Sequence, residues 1–173
     1  MLTGKYSDSL LYRRHSVRKY SGAAVTPEQA EHILHAAMAS PSADNTQPWS
    51  LIVVDERRLI DEIASIHPYA DMMKTASLAV IPCVIKSVAD DNPFYPQDMG
   101  ACAENMLLAA VECGLGSCWC GIHPQKDLEN KFISLFKIPD TLFPFCVIAF
   151  GEPADAMPPS DRYDASRVHH GSW

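Results

Sequence analysis

No apolar run in the 173-residue chain approaches the roughly 20 residues that a membrane-spanning helix needs; the longest, such as Ser77 to Ile85, is less than half of that. The opening Met1 to Asp8 carries no secretory hydrophobic stretch. Positive charge is in short supply: 14 Lys and Arg stand against 21 Asp and Glu, a formal net charge of −7 that disfavours general attraction to nucleic acid or an anionic membrane. Internal repeats, low-complexity tracts and long linkers are missing up to the Pro-rich end. So is a G-x-G-x-x-G after a strand, the mark of a separate dinucleotide-binding domain. The expectation is a single cytoplasmic domain over residues 1–173, with no nucleic-acid and no membrane partner.

What is present suits a packed core. Hydrophobic residues make up 47% of the chain and charged residues 20%, and a chain of this length buries about 70% of its unfolded surface without metal or disulfide staples. Six cysteines (Cys83, Cys102, Cys113, Cys118, Cys120, Cys146) lie mostly inside apolar segments, where a free thiol packs as a small hydrophobe in a reducing compartment.

Thr26-Pro27-Glu28-Gln29 reads as a helix start, with Thr26 as cap, Pro27 in the first turn and Gln29 completing a capping box. Ala30, Ile33, Leu34, Ala37 and Met38 follow at helical spacing, and the helix ends before Pro41. Strands are expected at Ser50 to Val54, Leu78 to Ile85, Ser117 to Ile122 and Phe145 to Phe150, and helices at Glu56 to Ile66, Gln97 to Cys113 and Gln125 to Phe136. Leu78 to Ile85 is apolar on nearly every residue, as a strand buried on both faces would be. In the long helix Met99, Cys102, Ala103, Met106, Leu107, Ala110 and Val111 should face inward, with Gly114 capping its end. The class is α+β, with an extended C-terminal tail at about 152–173 lying on the domain or on a neighbour.

Three segments carry chemistry. Arg13-Arg14-His15-Ser16-Val17-Arg18-Lys19-Tyr20 gathers four cations in an acidic chain, and guanidinium forks match phosphate oxygens; a solvated charged face is the plainer reading. Pro41-Ser42-Ala43-Asp44-Asn45-Thr46-Gln47-Pro48-Trp49 can present amides to a heteroaromatic ring, or simply connect helix to strand. Gly114-Leu115-Gly116-Ser117-Cys118-Trp119-Cys120-Gly121 offers either a cap and a kink or a close backbone approach to a flat ligand.

Together with a late Gly-x-Pro followed by Arg, these segments resemble the nitroreductase family of flavin enzymes, in the family's order and over Leu10 to Val168. The resemblance implies a central mixed sheet flanked by helices, and a homodimer holding noncovalent FMN in clefts built by both subunits. It implies that NADH or NADPH reduces the flavin by hydride transfer and that electron-poor acceptors such as nitroaromatics or quinones reoxidise it, in ping-pong order. Arg14, His15, Ser16 and Arg18 match the first FMN segment, Arg14 at the phosphate and Arg18 near the pyrimidine end. Pro41, Ser42 and Asn45 match the loop contributed by the partner subunit, and Arg162 the late cation that closes on the phosphate. Trp119, Cys120 and Gly121 match the segment beneath the ring, with the Cys120 backbone N–H at N5. A cation near N1 favours the reduced flavin. Larger relatives carry an insertion between the middle strand and the long helix; here only Ser87 to Pro96 intervenes, leaving Phe94 and Tyr95 as lids of a substrate pocket.

Other readings start from the same residues. Cys118-x-Cys120-x-x-His123 with His169 and His170 would be a zinc ligand set lacking the usual paired spacing. Cys118 and Cys120 would alternatively be a redox pair. A noncatalytic FMN store, or a specialised reaction such as azoline oxidation, reductive dehalogenation or flavin breakdown, would keep the fold and change the chemistry.

Overall fold

Residues 8–173 are described by the structure, a computed structural model; Met1 to Ser7, on which the reading of the opening segment rests, lies outside the described residues. In chain order the elements are α1 (Leu10–Arg13), α2 (Pro27–Met38), β1 (Trp49–Val54), α3 (Arg57–Ile66), β2 (Leu78–Ile85), α4 (Lys86–Asp91), α5 (Tyr95–Glu112), β3 (Gly116–Gly121), α6 (Lys126–Phe136), β4 (Leu142–Pro144) and β5 (Cys146–Gly151). Short 3-10 turns stand at Ala43–Asn45, Asp71–Lys74 and Ala165–Arg167.

The sheet runs in the order β1-β2-β5-β3, with β4 pairing β2 beyond the end of β5. All pairings of the named strands are antiparallel. A parallel bridge between Ser16 and Ser117 adds the N-terminal segment to the outer edge of β3 and makes the sheet mixed. Strand alternation sends Ala79, Ile81 and Cys83 of β2 to one face, against Ile60 and Ile63 of α3 and Phe132 of α6. Leu78, Val80 and Val84 go to the other face, against Ile33 and Ala37 of α2 and Met99 and Met106 of α5. Both faces of β2 are therefore covered by helices, and a covered strand has no polar positions to alternate with.

The signals at the helix ends work as read. Thr26 Oγ1 accepts from the Gln29 N–H at 3.2 Å while the Thr26 N–H donates to Gln29 Oε1 at 2.9 Å. Past the end of α5, Gly114 takes φ 72°, its N–H donates to the Val111 carbonyl at 3.1 Å, and the Leu115 N–H reaches the Ala110 carbonyl at 2.7 Å. Those two bonds form a Schellman stop, which needs a left-handed residue at this position. Val111 is only half-buried, unlike the other inward positions expected of this helix. The four-residue α1, the six-residue α4 and the three-residue β4 were not anticipated, being too short to show a period.

The tail returns along the N-terminal segment. Pro153 bridges Tyr20, the Ala154 N–H donates to the Lys19 carbonyl at 3.0 Å, and the Ser160 N–H to the Tyr12 carbonyl at 2.8 Å. From residue 161 onward every residue is exposed, Tyr163 by 77% and Trp173 completely.

Candidate functional site

The outer edge of β3 is where the basic segment docks. The Val17 N–H donates to the Ser117 carbonyl at 2.8 Å. A Cβ at Gly116 would lie 2.6 Å from Val17 Cγ2, so only glycine lets the two backbones approach this closely. Tyr20 fixes the far end of the segment, its hydroxyl donating to the Val17 carbonyl at 2.8 Å. Gly114 and Gly116 are thus both engaged within the fold, one as helix stop and one under Val17.

Register decides which backbone groups face outward. The Ser117 carbonyl accepts from Val17, and the Gly121 carbonyl from His67 Nε2 at 3.0 Å, so both point away from β5. Antiparallel alternation then turns residues 117, 119 and 121 to the open edge and 118 and 120 into the ladder with β5. The Cys120 N–H, expected at a ligand, is turned toward β5 instead; the N–H groups facing the edge here are those of Trp119 and Gly121.

Around this edge lies a cleft of about 410 Å³ whose walls include Arg18, His67, Tyr69, Trp119 and Gly121. Trp119 is partly exposed, its ring 6.3 Å from Phe145. Cys118 and Cys120 turn into the core on the α3 side. Hydrogen bonding with Cys120 pulls the Cys118 thiol down to about 7, against its own burial and helped by Arg18, while Cys120 is pushed up. His123, on the strand's far end, is turned to Glu129 and Tyr95, so the zinc ligand set is not assembled. Among the described residues no group of three or more His, Cys, Asp or Glu side chains converges as a metal site.

His67 escaped the sequence reading altogether, having no motif around it. It is buried, donates through Nε2 to Gly121 and accepts the Tyr69 N–H at Nδ1 at 3.1 Å. Burial lowers its pKa from 6.5, against the hydrogen bond to Gly121. The folded state then binds fewer protons than the unfolded state just below pH 6.5, so stability rises with pH through that window and is lost as pH falls below it. Thermal melts of the wild type and His67→Gln between about pH 5 and 7 should show this slope in the wild type and a flatter one in the variant.

Arg14 leans the other way, with Nε 3.2 Å from Glu104 Oε1 on α5. Ser16 is exposed. His15 Nδ1 lies 3.4 Å from Ser160 Oγ, and its Nε2 is buried without a partner. Arg162 follows Ser160 by two residues and is exposed. The structure therefore brings Arg14, His15, Ser16, Arg18, Trp119 and Gly121 along one edge, with the tail turning back beside His15.

The Pro41 loop stands apart, at the beginning of α5. Its turn uses left-handed backbone at Asp44, Asn45 and Gln47. The Gln47 N–H donates to Ser42 Oγ at 3.0 Å, and Gln47 Nε2 to Asn45 Oδ1 at 3.0 Å. Two buried residues that the sequence reading did not single out hold it. Asp98 accepts the Ala43 N–H at 3.0 Å and Asn92 Nδ2 at 2.8 Å, and Asn92 also reaches Thr46 Oγ1 at 2.9 Å. Phe94 is 56% exposed beside them, whereas Tyr95 is held by His123 and Phe143.

The Nitroreductase family profile matches residues 11–73 and 65–152. The chain belongs to the nitroreductase family. A Methanothermobacter thermautotrophicus protein provisionally named NADH dehydrogenase/NAD(P)H nitroreductase is 39% identical over 160 residues, 92% of this chain and 84% of that one. The crystal structure of a provisionally named NADH oxidase from Clostridium acetobutylicum superposes with a TM-score of 0.91 at 36% identity, covering 95% of this chain and 100% of the other. An FMN-dependent nitroreductase from Clostridium difficile gives a TM-score of 0.87 at 25% identity, over 95% and 98% of the two chains. This nitroreductase-family chain offers what FMN requires: paired guanidiniums and a hydroxyl for phosphate, outward N–H groups for a ring edge, and an unpartnered imidazole nitrogen.

Proposed function

We propose that this nitroreductase-family oxidoreductase passes electrons from NADH or NADPH, through noncovalent FMN, to electron-poor aromatics such as nitroaromatics or quinones. The observation that carries the reading is the docking of the Arg14–Arg18 segment on the open edge of β3, beside the outward N–H groups of Trp119 and Gly121. FMN supplies a two-electron carrier that reacts with the nucleotide and the acceptor in turn.

The protein's part is binding and electrostatics. Arg14 and Ser16 would hold the phosphate, joined by Arg162 from the tail and by His15. Arg18, on the wall of the cleft, would place positive charge near the pyrimidine end and so favour flavin reduction. Trp119 and Gly121 would orient the ring by backbone donation, with Cys120 on the same strand behind them. Phe94 and Tyr95 flank the acceptor.

Ser42 and Asn45 lie on a loop that does not join this edge in the same chain, which supports a homodimer whose loops reach each other's FMN, with Pro41 at the crossing. The exposed stretch beyond Ser160 supports the same arrangement, since its aromatic residues need a surface to cover them. Dilution to the monomer should release FMN, followed by flavin fluorescence alongside sedimentation. A monomer that keeps its flavin would contradict the shared site.

The deciding experiment is anaerobic stopped-flow reduction of the bound flavin by NADH and by NADPH, then addition of a nitroaromatic or a quinone. Rapid bleaching and rapid recovery of the yellow colour are expected. A flavin that neither nucleotide reduces would point to a storage protein.

A further inference from the structure

Three side chains outside the cofactor segments line up at the junction of α5, the end of β3 and α6. Glu129 is 3% exposed, yet one carboxyl oxygen lies 2.8 Å from His123 Nδ1 and the other 2.8 Å from Lys126 Nζ. On the opposite side of the imidazole, His123 Nε2 is 3.2 Å from the Tyr95 hydroxyl. Phe143, at 5.1 Å, and Phe145, stacked at 6.1 Å, hold the ring in place.

The chemistry of the row follows from its acceptor. Burial alone would push the Glu129 carboxyl up, but hydrogen bonds from Lys126 and His123 overcome this and hold it below its ordinary value. A carboxylate only accepts, so His123 Nδ1 carries hydrogen. Nε2 is then free to exchange a proton with the Tyr95 oxygen: it accepts from the phenol when the imidazole is neutral and donates when the ring is charged. The titratable and charged groups facing His123 are Tyr95 from α5 and Glu129 from α6, with Lys126 behind Glu129; the strand side presents Phe143 and Phe145. Position connects the row to the ligand. Tyr95 opens α5 three residues before Asp98, which fixes the Ser42–Asn45 loop, so the phenol and the loop are carried by the same helix end.

We propose that Glu129, His123 and Tyr95 form a proton relay, in which the Tyr95 hydroxyl protonates the reduced acceptor and His123 and Glu129 are positioning residues. The relay rests on the oxidoreductase reading above. A quinone that has received two electrons, ultimately from NAD(P)H, and one proton retains one phenolate oxygen. There the Tyr95 O–H bond breaks and the acceptor O–H bond forms. The resulting tyrosinate takes the Nε2 proton of imidazolium His123, whose charge Glu129 offsets. His123, with its side chain 20% exposed, regains a proton from water. The protein ends unchanged, and two electrons and two protons have reached the quinone.

The test uses the FMN-loaded protein and two readouts. The nitrogen NMR shifts of the His123 imidazole in the oxidised protein should change in Glu129→Gln and also in Tyr95→Phe, which keeps the Glu129 pair should the first variant fail to fold. In anaerobic half-reactions the reduced Tyr95→Phe protein should be reoxidised by a quinone about 100-fold more slowly than wild type, with its solvent deuterium effect diminished. Unmoved His123 nitrogen shifts in both variants, or quinone reoxidation within about twofold of wild type, would overturn the relay. If neither nucleotide reduces the wild-type flavin, the oxidoreductase reading fails and the relay with it, whereas a failure of the relay alone leaves flavin reduction intact.

Discussion

Asp98→Ala should lower the melting temperature and the FMN affinity together. The Asp98 carboxyl is buried and accepts both the Ala43 N–H and the Asn92 side chain, which itself is buried and braces Thr46. Removing the acceptor leaves two donors facing protein instead of water, each costing about 1–3 kcal/mol. The sum, about 2–6 kcal/mol, corresponds to a fall of roughly 4–24 °C for a domain of this size. Because the lost bonds anchor the Ser42–Asn45 turn, whose left-handed residues have little reason to persist without them, the loop loosens before the sheet does. Thermal melts and FMN titration check both effects, and a wild-type melting temperature would show that the carboxyl bears no such load.

Arg14→Ala should weaken FMN binding by about ten- to a hundredfold, the loss of a charge-assisted contact worth roughly 1.5–3 kcal/mol. In the structure Arg14 is paired with Glu104, so phosphate must draw the guanidinium away from a carboxylate. Glu104→Gln removes that competitor and should tighten binding, in the opposite direction to Arg14→Ala and on the same residue. Fluorescence titration of both variants at one ionic strength reads the pair. An unchanged affinity in Arg14→Ala would remove the phosphate role from it.

Much of this was legible in the residues themselves. β2 occupies the residues its apolar run announces, and the capping box at Thr26 and the stop at Gly114 act locally, so short motifs suffice to read them. The basic segment and the Gly116–Gly121 strand are readable as candidate binding elements, but not their mutual register. Side-chain pattern cannot tell which N–H groups of an edge strand face outward, which is why the sequence points to the Cys120 N–H while those of Trp119 and Gly121 face the edge. Asn92 and His67 stayed hidden for a different reason: each is a polar residue satisfied by a partner tens of positions away, and nothing in its neighbours along the chain marks it.

Gly114 to Gly116 also sets where the chain tolerates change in length. In three residues the helix stops, the strand begins and Val17 is admitted to its edge. One residue inserted there would slip β3 by one position, turning Cys118 and Cys120 out to the edge and Trp119 into the core. The Ser87–Pro96 connection has no such phase to keep beyond Asn92 and Tyr95, and Phe94 stands exposed at its crest. New segments that enlarge or reshape the acceptor pocket can be grafted at the second place, while the first admits none; a scan of single-residue insertions should divide the protein along that line.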